Sequence, residues 1–169
     1  MSEEDIHLLL LYFNSVLGPE IIFTFPGKIS EEIGKRIRSF FDLNIDDQFF
    51  EITIKKANIK ITNILFEIPS QWGRGDVELV MLSLVTDEND DTKVFQEVLM
   101  DYSYKIKTSP DIYKAFYDQS QIDGDIILMN RKKAELKELL LECFENLVSR
   151  RISGMEGGKI VQKFKRLSW

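Results

Sequence analysis

The chain has 169 residues, with 22 Lys and Arg against 28 Asp and Glu, for a formal net charge of −6. That length suits one domain with a sizeable core. A lone cysteine, Cys143, excludes an intramolecular disulfide and any multi-cysteine metal site, and the acidic balance excludes bulk attraction to nucleic acid.

The first elements are apolar. Residues 8–13 contain no polar break, which predicts a strand buried on both faces, and 21–25 are Ile, Phe and Thr, types that suit a pleated surface. Gly18 and Pro19 between them predict a hairpin turn. Residues 30–43 predict a helix capped by Ser30, with Glu31 and Glu32 in its first turn. Ile33, Ile37, Phe40 and Phe41 form its apolar stripe, and Lys35, Arg36 and Arg38 its opposite face. Gly34 inside it either marks a close approach to the sheet or is simply tolerated, at a cost of about 1 kcal/mol against Ala.

Two alternating segments follow. Phe50, Ile52 and Ile54 share one face; after a turn at Lys56, Ala57 and Asn58, Ile59 and Ile61 repeat the pattern. The apolar set then changes phase to Ile64, Phe66 and Ile68, so a bulge is expected near Asn63 and Ile64. Residues 69–76 read as a loop, and 77–85 as a second central strand. An acidic turn, 87–91, leads into a helix with Val94, Phe95, Val98, Leu99, Tyr102 and Ile106 inward. Ser109 and Pro110 are read as the start of a short helical segment through Tyr117. A polar loop, 118–125, precedes a last helix over about 130–151, with Leu136, Leu139, Leu140, Cys143, Leu147 and Val148 inward.

The organisation expected is a domain over 1–152, followed by a Gly-containing linker and a short basic tail over 153–169. Residues 150–169 carry +5 and the remainder −11. In the tail, Ile160, Phe164 and Leu167 lie at helical spacing among Lys159, Lys163, Lys165 and Arg166, with Trp169 at its end. Such a segment suits an anionic membrane or a partner groove. The acidic start has no basic signal region, and no apolar run reaches the length of a membrane span, so a cytoplasmic protein is expected, peripheral to a membrane if the tail engages one.

No motif carries chemistry. His7 is the sole histidine, so neither a zinc site nor a Ser-His-Asp arrangement can be assembled, and Cys143 lies among leucines as a buried, inert thiol. The acidic run at 87–91 lacks the spacing and closing Glu of a calcium loop. Gly73 and Gly75 precede a strand rather than a helix and are not a dinucleotide fingerprint; Arg74, Gly75 and Asp76 spell an adhesion tripeptide by coincidence. Trp72, in the same loop, either folds onto the core or offers a contact surface. No catalytic, cofactor or metal site is expected.

The element order β-β-α-β-β-β-α-α over about 5–152 resembles a longin domain. The residues Leu9, Leu10, Leu11, Tyr12, Phe13 followed by Leu17, Gly18, Pro19, Glu20, Ile21, Ile22 are similar to the first hairpin of longin domains in nitrogen-permease-regulator-like and DENN-type proteins and in archaeal longin-like proteins. The resemblance implies an α+β, profilin-like fold: a five-stranded antiparallel sheet with one helix on one face and two on the other. Roadblock domains share much of this topology but begin with a helix. The resemblance also implies a non-enzymatic platform in trafficking or signalling, binding or regulating a small GTPase, or pairing with another longin or roadblock domain. Longin SNAREs continue into a SNARE helix and membrane anchor, which are not found here. The reading from a different class is a small-ligand sensory domain of PAS or GAF type; a hydrolase with unidentified carboxylates is a third. With the family's strand order, the second strand is an edge without charge over 21–25. Such an edge is either covered by the chain's own tail or kept for a partner strand; a partner is expected, in a homodimer or heterodimer, contacting Ile21, Phe23, Thr24 and Phe25, with Trp72 of the 69–76 loop as a further contact.

Overall fold

The computed structural model describes residues 6–43, 48–118 and 124–167, with side chains through Ser153. Its elements are β1 (His7–Asn14), β2 (Gly18–Phe25), α1 (Glu31–Arg38), β3 (Phe49–Ile54), β4 (Ile59–Pro69), β5 (Val77–Asp87), α2 (Lys93–Thr108) and α3 (Ile126–Leu167). Short 3-10 turns cover Ser39–Asp42, Lys55–Ala57, Arg74–Asp76 and Ile112–Phe116. All strand pairs are antiparallel, and the five strands lie in the order β2-β1-β5-β4-β3. The chain is thus α+β, with β2 and β3 at the edges.

The unbroken apolar run of β1 is explained by two cores. Leu8, Leu10 and Tyr12 face α2, Ile112–Phe116 and α3, while Leu9 and Leu11 face α1. Both sets are buried. β5 divides in the same way, with Val80, Leu82 and Leu84 on the two-helix side and Met81 and Val85 on the other. Covering both faces removes alternation, because every side chain of a central strand leaves water.

β4 corrects one expectation. Its pairing with β5 runs without a shift from Ile59↔Asp87 to Pro69↔Val77, and its pairing with β3 is equally regular, so there is no bulge at Asn63 and Ile64. The phase change has another cause. Ile59, Ile61 and Leu65 belong to the α1 side, and Ile64, Phe66 and Ile68 to the two-helix side. Asn63 sits on the α1 side and is buried, accepting from the Ser83 hydroxyl at 2.6 Å and donating to the Ile61 and Phe50 carbonyls. A buried polar residue broke the alternation, and its hydrogen bonds offset its desolvation. The one register shift in these pairings lies between β1 and β2, at Leu10/Leu11.

The helices end where local chemistry stops them. Ser30 caps α1, accepting from the Ile33 amide at 3.3 Å, and α1 passes into the 3-10 turn after Arg38. Gly34 is buried against β2: a methyl there would meet Ile21 Cδ1 at 3.4 Å. In α2 the inward stripe is Phe95, Val98, Leu99, Tyr102 and Ile106, but Val94 points outward. Ser109 closes α2 rather than opening the next segment: its hydroxyl donates to the Lys105 carbonyl, and Asp111 then turns the chain at φ 55°.

α3 starts earlier than periodicity indicates, because the Asp125 carboxylate accepts from the Ile127 and Leu128 amides. It also continues as helix through 153–158, where a linker is expected. Glycine costs helix about 1 kcal/mol but removes no backbone donor, so it weakens rather than stops the element. Among the described residues, no helix is long and apolar enough to cross a membrane.

Candidate functional site

Among the described residues, β2 pairs with β1 on one side and with no strand on the other. All eight of its residues are half-buried. Phe25, Thr24 and Phe23 sit opposite Leu8, Leu9 and Leu10, and Ile21 sits opposite Leu11. The register shift leaves Ile22 as the extra residue, so Ile22 and Phe23 both pack on the two-helix side. Phe25 stacks between Phe23 and Phe144, with ring centroids 6.4 and 6.3 Å apart. Ile21 packs instead towards α1. Ile21, Phe23 and Phe25 therefore spend their side chains anchoring the strand. What β2 presents outward is its backbone edge, interrupted by no charge over 21–25.

A cleft of about 400 Å³ opens beside the strand, between Glu20, Ile22 and Phe23 on one wall and Phe116, Tyr117 and Lys133 on the other. At its mouth stands the β1–β2 turn. Val16 is 87% exposed and Leu17 69%, although both are aliphatic. The turn is held rigid by the buried Asn14, whose Oδ1 accepts from the Val16 and Leu17 amides at 2.8 and 3.0 Å. Asn14 Nδ2 donates in turn to the Tyr12 hydroxyl at 2.8 Å, and Tyr12 stacks on Phe116 at 4.8 Å. Sequence reasoning missed Val16 and Leu17. The available signal is two large aliphatics inside a turn, flanked by Asn14 and Gly18, where polar residues are the rule.

Trp72 is not on this edge. It folds onto the core, half-buried, with its ring edge-on to Tyr113 and Tyr117, each at 5.2 Å. The loop that carries it is organised by Glu78 and Ser70. The Ser70 hydroxyl accepts from the Trp72 and Gly73 amides and donates to Glu78 Oε1 at 2.9 Å. Gly73 is required here, since a Cβ would fall 2.1 Å from the Val77 carbonyl oxygen. Tyr117, which borders both Trp72 and the cleft, is the link between the two regions. Burial, and then the Glu78 carboxylate, push its phenol well above the ordinary value.

Cys143 is buried between α2 and α3, and desolvation pushes its thiol up to about 12. A neutral thiol in that setting is no nucleophile near pH 7. In the tail, Lys159, Lys163, Phe164, Lys165 and Arg166 fall on the last turns of α3; their side chains, and Trp169 entirely, lie outside the described residues. The arrangement near β2 is suited to association: a sheet edge unpaired among the described residues, an aliphatic turn held by Asn14 and a cleft of mixed charge. No model of a known protein family matches the chain, and no curated protein matches it significantly.

Proposed function

We propose that this chain is a non-enzymatic interaction domain of the longin type, acting in the cytoplasm by binding or regulating a small GTPase or by pairing with another longin or roadblock domain. The element order, the strand order β2-β1-β5-β4-β3 and the division of one helix against two support the longin reading. The observation that carries the functional reading is the β2 edge, which no strand pairs among the described residues. Natural edge strands are normally charged, bulged away or covered; β2 has one irregularity, at Ile22, but its 21–25 part is uncharged, β-branched and aromatic and is suited to strand addition by a partner. The exposed Val16 and Leu17 extend the same surface beyond the end of the strand.

Affinity capture from cells, repeated with purified candidates, tests this. A GTPase or a longin or roadblock protein is expected to bind the chain directly and to be lost on Thr24→Lys. Failure of every such candidate to bind at micromolar concentration would contradict the reading. The basic end of α3 is proposed as a second, peripheral contact with anionic membrane. Flotation with anionic vesicles should then fall with added salt and on deletion of 159–169; equal flotation of the full and shortened chains would remove that contact.

A further inference from the structure

A second concavity, of about 1190 Å³, lies on the opposite side of the sheet from α2 and α3, between α1 and the β3–β4 turn. Lys35 and Arg36 wall it from α1, and Lys55 and Lys56 from the turn, against Glu32 as the one carboxylate in its lining. None of these four cations makes an ion pair among the described residues, whereas Lys105, Lys132, Arg150 and Arg151 each do. That is unexpected in a chain whose first 149 residues carry −11. Four cations gathered against a single carboxylate repel one another, and the arrangement is relieved by a bound anion.

The turn that presents Lys55 and Lys56 is held in place. Asn58 takes a left-handed conformation, φ 55°, its amide donates to the Lys55 carbonyl at 3.2 Å, and its own carbonyl accepts from Glu88 at 3.0 Å. The Thr53 hydroxyl adds a donor to the lining, whereas that of Ser39 donates to the Arg36 carbonyl at 2.6 Å. Lys, Arg and hydroxyl groups converging on one groove match the acceptor oxygens of phosphate, with Arg able to bind two at once. Apolar lining is confined to Ile33, Ile54 and Ala57, too little to seat an amphipathic segment.

We infer that this groove binds a polyphosphorylated anion, a cluster of phosphomonoesters carried either on a free small molecule or on a lipid headgroup. The groove lies apart from the β2 edge and does not depend on the partner-binding reading.

Calorimetric titration of the full chain with inositol hexakisphosphate is the test. Lys55→Glu with Lys56→Glu should weaken binding at least about tenfold. Arg131→Glu with Lys137→Glu makes the same charge change on the exposed face of α3 and should weaken it less than about twofold. Arg36→Ala serves if the double reversal fails to fold. Vesicles containing a phosphoinositide, with the soluble probe as competitor, separate the sources: competed recruitment assigns a headgroup, and its absence a free ligand. Absence of measurable heat with the soluble probe, or equal losses in the two charge-reversed pairs, would overturn the inference.

Discussion

The Tyr117 hydroxyl donates to Glu78 Oε1 at 2.5 Å, and the same oxygen accepts from Ser70. One buried carboxylate thereby joins the end of the segment that follows α2, the loop after β4 and the start of β5. Because charge-assisted hydrogen bonds at buried sites are among the stronger ones, Tyr117→Phe should lower unfolding free energy by about 1.5–3 kcal/mol. Denaturant unfolding measures this; a midpoint equal to that of the parent would contradict it. The Tyr117 phenol is raised in the folded state, so its contribution is whole below the unfolded value of 10.0 and is lost as pH climbs through the folded one. Tyr117→Phe should therefore flatten the alkaline fall in stability above about pH 10.

Leu10 and Leu82 are paired across β1 and β5, both wholly buried on the two-helix side. Leu10→Asp or Leu82→Asp places a carboxylate there with no partner, at a cost on the order of 4–5 kcal/mol or more. Cooperative thermal unfolding should disappear. A variant melting within a few degrees of the parent would show that these strands are not central.

The Cys143 thiol is raised from 9.0 to about 12 by burial. Its neutral form is favoured in the folded protein, so the stability it contributes is complete below pH 9 and declines as pH rises towards 12. At pH 8 a thiol-specific reagent should label the native chain only at the rate of unfolding, and promptly in denaturant. Rapid stoichiometric labelling of the native protein would contradict the placement of α3.

The architecture was legible because burial and period coincide in it. The 8–13 and 77–85 runs announced strands covered on both faces, and the stripes of the three helices announced what covers them. Sequence reasoning failed where a polar residue had a private structural purpose. Asn63 looked like a break in β4 and is a buried member of it, bonded to Ser83. Ser109 resembled a helix start and instead closes α2, while Asp125, read as loop, starts α3. The contact surface was half legible: the edge position of β2 was readable, but pattern alone could not show that Ile21, Phe23 and Phe25 point into the cores. Nor could it show that Asn14 holds Val16 and Leu17 out to solvent, since that follows from hydrogen bonds within the turn.

The most direct test of the account is the association state of the chain with and without a change at the β2 edge. Thr24 lies opposite Leu9, in the uncharged part of the strand, where a lysine charges the edge without entering the core. Light scattering across the micromolar range, alone and with the captured partner, should show a dimer or a heterodimer. Thr24→Lys should weaken it at least about tenfold, or ~1.4 kcal/mol, with an unchanged melting temperature. A strict monomer under both conditions, or a complex indifferent to Thr24→Lys, would contradict the assignment of β2 as the partner-binding edge.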